Sequence, residues 1–106
     1  MEKTLTFTKE GKTYTLAFTR ETVIATENMG FDLGRILERP VSSLTYLWRG
    51  AFLEHHDTLT IAEADKLLEK IDKKGLLDAL LDLYNAPINS LMDEEDEKNA
   101  IKWTVT

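Results

Sequence analysis

The N-terminal residues 4–18 read TLTFTKEGKTYTLAF, and apolar and polar residues alternate along them at every second position. This period is typical of a strand with one buried face, and threonine and the aromatic residues favour strands. Placing Glu10 and Gly11 at the centre of a tight turn puts Phe7 opposite Tyr14. The alternation therefore predicts a β-hairpin whose apolar side chains share one face.

Beyond residue 18 the apolar residues recur every three to four positions, which indicates amphipathic helices. Thr19 and Thr60 are suited to cap two of them, and Ser42 or Ser43 is predicted to cap another that ends near His56. The predicted fold is α+β, an N-terminal two-stranded β-hairpin packed on a small bundle of about four to five helices. The predicted buried residues of the first three helices are Val23, Ile24, Phe31, Leu44, Leu47, Trp48, Ala51, Phe52, Ile61, Ala64, Leu67, Leu68 and Ile71.

The next predicted helix begins with LLDALLDLY, residues 76–84, and is apolar over most of its circumference. Only Asp78 and Asp82 form a narrow polar stripe, which is typical of a helix buried on nearly all sides. Pro87 lies in the same helical pattern and predicts either a kink or two short helices in line.

The chain is predicted to form one domain over residues 1–92, followed by an acidic C-terminal tail, residues 93–106. The tail opens with the acidic sequence DEEDE, where repulsion between like charges opposes ordered structure. Trp103 then has two interpretations: the tail folds back and buries it, or it is an exposed anchor for a partner.

Composition excludes several classes of function. The 106 residues include no cysteine and no apolar run long enough to span a membrane, so we expect a soluble protein of a reducing compartment. The net charge is −6, and residues 54–106 hold thirteen Asp and Glu against six Lys. We therefore expect no nucleic-acid binding and no membrane binding, because phosphate recognition needs clustered positive charge.

No set of residues predicts catalysis or metal binding. His55 and His56 are adjacent, so on a helix their side chains would point about 100° apart rather than toward one ion. We expect His55 to lie on the apolar side of its helix. The acidic run lacks the spacing of a calcium-binding loop, and no nucleophile or phosphate-binding motif is present. The sequence is therefore not expected to be an enzyme, and no cofactor is predicted.

The order and spacing of several short motifs resemble a group of phage tail assembly chaperones from siphoviruses of Gram-positive bacteria, and the resemblance spans nearly the whole chain. No single motif is specific. The residues that carry the resemblance are Leu5-Thr6-Phe7-Thr8, Gly11-Lys12, Tyr14-Thr15-Leu16, Phe18-Thr19-Arg20, Gly50-Ala51-Phe52-Leu53, His55-His56, Tyr84-Asn85, Pro87, Leu91, Asn99 and Trp103.

The resemblance implies a protein that coats the coiled-coil-rich tape measure protein and keeps it soluble until the tail tube polymerises. Its expected partners are the tape measure protein and the major tail tube protein. It would act in the host cell cytoplasm and be absent from the mature virion. The resemblance supplies no site residues. From the excess of apolar surface we predict a protein-binding surface made of Leu77, Leu80, Leu81, Tyr84 and Trp103.

Two other functions stay open. One is a small acidic inhibitor or adaptor that mimics the charge of DNA, an idea supported only by the carboxylates of the C-terminal half. The other is a structural component of the virion tail. The oligomeric state is not predicted by any of these patterns.

Overall fold

A computed structural model gives the structure of the protein and describes residues 3–91 and 104–105. It confirms the predicted α+β fold, because a two-stranded antiparallel hairpin precedes the helices. The elements are β1 (Leu5–Lys9), β2 (Lys12–Leu16), α1 (Arg20–Met29), a 3-10 helix (Leu33–Arg35), α2 (Pro40–Ala51), α3 (Ile61–Lys70) and α4 (Leu76–Leu91). The proposed tail, apart from Thr104 and Val105, lies outside the described residues.

The hairpin has the predicted register, with Phe7 opposite Tyr14 across the ladder. Glu10 and Gly11 form the two-residue turn with φ angles of 53° and 80°. Positive φ at both positions matches the right-handed twist of the strands, and it is easy for glycine and costly for Glu10. Phe7 stacks on Tyr14 at 5.0 Å between ring centroids and on Trp48 of α2 at 5.7 Å. The hairpin therefore covers the C-terminal half of α2.

Backbone N–H groups along the outer edge of β2 also bond to the end of α2 and to the segment that follows it. The Ala17 N–H, just after β2, donates a hydrogen bond to the Ala51 carbonyl at 3.1 Å. The Thr15 N–H, two residues earlier, donates to Nε2 of His56 at 3.0 Å. Both donors would otherwise be unpaired on an exposed strand edge. The two bonds therefore satisfy this edge and fix the hairpin against the end of α2.

The start and end of α2 differ from the prediction. The helix begins at Pro40 rather than after Ser42 or Ser43, because proline suits the first helical position, where its missing N–H would have no partner anyway. It ends at Ala51, and turns lead on to His56, which is half-buried while His55 is exposed. The expectation that His55 lies on the apolar side is therefore wrong.

The core lies where the hairpin, α1, α3 and α4 meet α2. Leu47 and Trp48 of α2 are fully buried, and the indole Nε1 of Trp48 donates to the Ala64 carbonyl of α3 at 2.7 Å. The α4 helix is a single helix through Pro87, so the alternative of two separate helices is wrong.

Two predicted core residues are exposed. Ile24 is 51% exposed and Ile61 is 59% exposed. In α1 the buried residues are Thr22, Val23 and Thr26, and α1 approaches α2 closely where Gly50 meets Thr26. A residue as large as isoleucine does not fit that contact.

Candidate protein-binding groove

An open apolar groove of about 430 Å³ lies where α2, α3 and α4 converge. Its lining comes from the first turns of α2, the end of α3 and the first turn of α4. These residues are Pro40, Val41, Leu44, Thr45, Leu68, Lys73 and Leu77. We call this surface the Val41 groove. Its size is in the range of ligand and peptide sites.

The groove exists because the apolar stripe of α2 extends beyond the part of the helix that the hairpin and α3 cover. Val41, Leu44 and Trp48 lie at i, i+3 and i+7, so they share one face of the helix. Trp48 is fully buried beneath the hairpin and α3, whereas Val41 is 77% exposed and Leu44 is half-buried. The stripe therefore leaves the core and continues as open apolar surface at the N-terminal end of α2.

The polar groups of the groove already have partners. The Thr45 hydroxyl donates to the Val41 carbonyl at 2.8 Å, so it leaves its methyl group to contact a ligand. The Lys73 ammonium group donates to the Glu69 and Ile71 carbonyls at 3.2 and 3.3 Å, where it satisfies the C-terminal end of α3. Its aliphatic stem can cover apolar surface while its charge stays in water. The groove thus offers mainly hydrocarbon, with one positive charge at its rim.

Apolar surface also precedes the groove in the chain. Leu37 is 96% exposed and lies three residues before Pro40, and Leu33 in the 3-10 helix is 49% exposed. Neither leucine belongs to the groove lining, so each adds exposed apolar surface separately from it.

The structure separates the predicted binding residues into three groups. Leu77 lines the Val41 groove, and Leu81, one turn further along α4, is half-buried against the core. Leu80 is fully buried and Tyr84 is 2% exposed, so in this conformation neither offers its side chain to a partner. Trp103 lies outside the described residues. On this helix Leu77 is therefore accessible to a partner, whereas Leu80 and Tyr84 are not.

Tyr84 is held in the core by aromatic contacts. Its ring meets Phe18 and Phe31 edge-on, with centroids 5.3 and 5.0 Å away. Burial raises the pKa of Tyr84 to about 12, and the negative charge of the neighbouring Glu27 carboxylate adds to the shift. These contacts explain why Tyr84 belongs to the packing of α4 and not to its surface.

Sequence reasoning missed Val41, a residue of the groove lining that is 77% exposed. The reason is the predicted start of α2 at Ser42 or Ser43, which left Val41 outside the helix. Pro40 was the available signal, because proline is favoured at the first turn of a helix. With the helix beginning there, Val41 falls in line with Leu44 and extends the apolar stripe.

Other kinds of site find no support in the part of the chain that the structure describes. Within residues 3–91 and 104–105, no group of three His, Cys, Asp or Glu residues is placed to hold a metal ion. Among the described helices, none is both long and apolar enough to cross a membrane. His56 is used structurally, as the acceptor for the hairpin edge.

The fold and the groove together define a small hairpin-and-helix protein with an open apolar surface. The chain belongs to the family described as domain of unknown function (DUF5055), whose model matches residues 1–106. There is no match among curated proteins and none among solved structures.

Proposed function

We propose that this protein is a phage tail assembly chaperone that binds helical segments of the tape measure protein in the Val41 groove. The observation that carries the proposal is the apolar lining from three helices, with Val41 77% exposed at its edge. An amphipathic helix places one apolar face into such a groove. A long coiled-coil protein presents many such faces before it assembles, so one small groove can serve many equivalent segments.

The chemistry of the groove suits a chaperone that must later be displaced. Its contacts are hydrophobic and small in area, so each bound segment would be held weakly and released readily. The net charge of −6 keeps the complex in solution while the apolar seams of its client are covered. The resemblance to tail assembly chaperones agrees with this function. From the same resemblance we propose that the protein acts in the host cytoplasm and is absent from the mature virion.

Co-expression with the tape measure protein of the same phage tests the proposal. Val41→Asp puts a charge into the groove, and the fold should tolerate it because Val41 is exposed in the first turn of α2, where a carboxylate is favoured. Ile61→Asp is the matched control, since Ile61 is 59% exposed in the first turn of α3 and lies outside the groove. We expect wild type and Ile61→Asp to keep the tape measure protein soluble and Val41→Asp to fail.

Two results would count against this function. One is a Val41→Asp variant that folds normally and solubilises the tape measure protein as well as wild type does. The other is the presence of this chain in purified virions by mass spectrometry, which would favour a tail component instead. A gene for a very long coiled-coil protein downstream, with a tail tube gene upstream, would support the assignment independently.

A further inference from the structure

A second open groove, of about 300 Å³, lies between α1 and the C-terminal half of α4. Its apolar wall includes Ile24, 51% exposed in the middle of α1, and Leu91, 58% exposed at the end of α4. Arg20 and Glu27 of α1 lie at its rim, and the lining is completed by Val23, Pro87 and Ile88. We call this surface the Ile24 groove, and it shares no residue with the Val41 groove.

The charged residues at the rim of the Ile24 groove are arranged so that the grooves of two copies of the chain can pair with each other. Arg20, Ile24 and Glu27 lie at i, i+4 and i+7, within about 60° of one another around the helix. Arg20 and Glu27 are about 10 Å apart along the axis of α1, and Ile24 lies between them. If two copies of α1 pack antiparallel, Arg20 of each copy faces Glu27 of the other. A twofold axis near Ile24 generates both pairs at once, as an isologous interface requires.

We infer that the Ile24 groove binds the Ile24 groove of a second copy of this chain, with the two α1 helices antiparallel and Ile24 at the centre of a twofold dimer. The Val41 groove remains open in this arrangement. A dimer would then carry two partner grooves, which raises its avidity for a client that repeats along its length. The dimer does not depend on the identity of that client.

Sedimentation velocity of the full chain over a concentration series tests the dimer. We expect Arg20→Glu and Glu27→Arg each to weaken self-association by about tenfold, because each change turns two attractive pairs into two repulsive ones. The double variant Arg20→Glu/Glu27→Arg restores opposite charges across the axis and should dimerise nearly as well as wild type. Ile24→Lys should abolish the dimer. Thermal unfolding of each variant checks that the fold is retained.

Glu21→Arg is the matched control, because it makes the same charge change on α1 outside the groove. It should leave the dimer unchanged. The proposal is overturned if wild type is monomeric at every concentration, which would leave another part of this chain or a different protein to cover the groove. It is also overturned if Ile24→Lys still dimerises, or if the double charge exchange fails to restore what the single changes removed.

Discussion

Nε2 of His56 accepts a hydrogen bond from the backbone N–H of Thr15, at 3.0 Å, across forty-one positions of the chain. The imidazole also contacts the rings of Tyr14 and Phe52, with centroids 5.4 and 6.0 Å away. A ring nitrogen accepts a hydrogen bond only when it carries no proton. The contact between the hairpin and the segment after α2 therefore depends on the neutral form of His56.

This contact predicts that stability falls in mild acid. Burial lowers the pKa of His56 below its ordinary value, and the positive charge of Lys12 and the neighbouring His55 lower it further. The unfolded chain then binds a proton more readily than the folded chain does. His56 therefore contributes stability that is fully present above the unfolded pKa near 6.5 and is lost as the pH falls through the lower folded pKa. Urea unfolding at a series of pH values measures it.

His56→Gln separates this effect from the titration of other groups. The glutamine amide oxygen can accept the Thr15 hydrogen bond but does not titrate. We expect the variant to lose the part of the acid sensitivity that wild type shows between pH 7 and pH 5. His56→Ala should cost about 1–3 kcal/mol at neutral pH, because it leaves the half-buried Thr15 N–H without an acceptor. An unchanged pH profile in His56→Gln would contradict this account.

A second prediction concerns the close crossing of α1 and α2. A Cβ atom at Gly50 would overlap Oγ1 of Thr26 and lie 3.0 Å from the Thr26 Cβ. The Thr26 hydroxyl is itself held by donating to the Thr22 carbonyl at 2.7 Å. We expect Gly50→Ala to destabilise the protein by about 1–3 kcal/mol by forcing the helices apart.

Whether Gly50→Ala lowers or raises the stability of the protein tests this description of the helix crossing. At an uncrowded helix position, alanine would stabilise the protein relative to glycine by up to about 1 kcal/mol. A higher melting temperature for Gly50→Ala would therefore show that the helices do not approach as described. In the double variant with Thr26→Ala, the cost of Gly50→Ala should shrink, because most of the overlapping atoms are gone. Chemical denaturation of the four members of the cycle measures this coupling.

The part of the fold that sequence reasoning predicted best is the part set by local patterns. The register of the hairpin followed from the two-residue period and from Gly11, which together leave one pairing that keeps all apolar residues on one face. The capping box of Thr60 and Glu63 fixed the start of α3 in the same way.

Contacts between distant segments were not available from such patterns. The near-continuous leucine pattern of α4 does not say which leucine meets the core, so it does not separate Leu80, which is fully buried, from Leu77, which lines the groove. Similarly, nothing near His56 in the sequence indicates that its imidazole accepts a hydrogen bond from the Thr15 N–H. The Val41 groove needs the ends of three helices, and it appears only once their relative positions are known.

A third prediction uses the two faces of α4. Leu80 is fully buried, whereas Leu77 lies partly exposed at the groove. Leu80→Ala should cost about 2–5 kcal/mol in unfolding free energy, and Leu77→Ala at most about 1.5 kcal/mol. Under conditions where both variants are folded, only Leu77→Ala should weaken tape measure binding. Equal losses of stability for the two variants would show that the helix is buried differently.

A fourth prediction distinguishes an apolar chaperone from an acidic mimic of DNA. Deleting residues 93–97 removes five carboxylates and no apolar side chain. Along α4, Leu91, the last described residue before the deletion, lies about 21 Å from Leu77 of the Val41 groove. We expect the shortened chain to solubilise the tape measure protein as wild type does, because the groove and its hydrophobic contacts remain. A charge mimic would instead lose its target, since electrostatic complementarity sets both encounter rate and specificity. The measurement is the soluble fraction of co-expressed tape measure protein, with Val41→Asp as the negative control. A deletion that abolishes binding while leaving the melting temperature unchanged would place the function in the carboxylates and not in the groove.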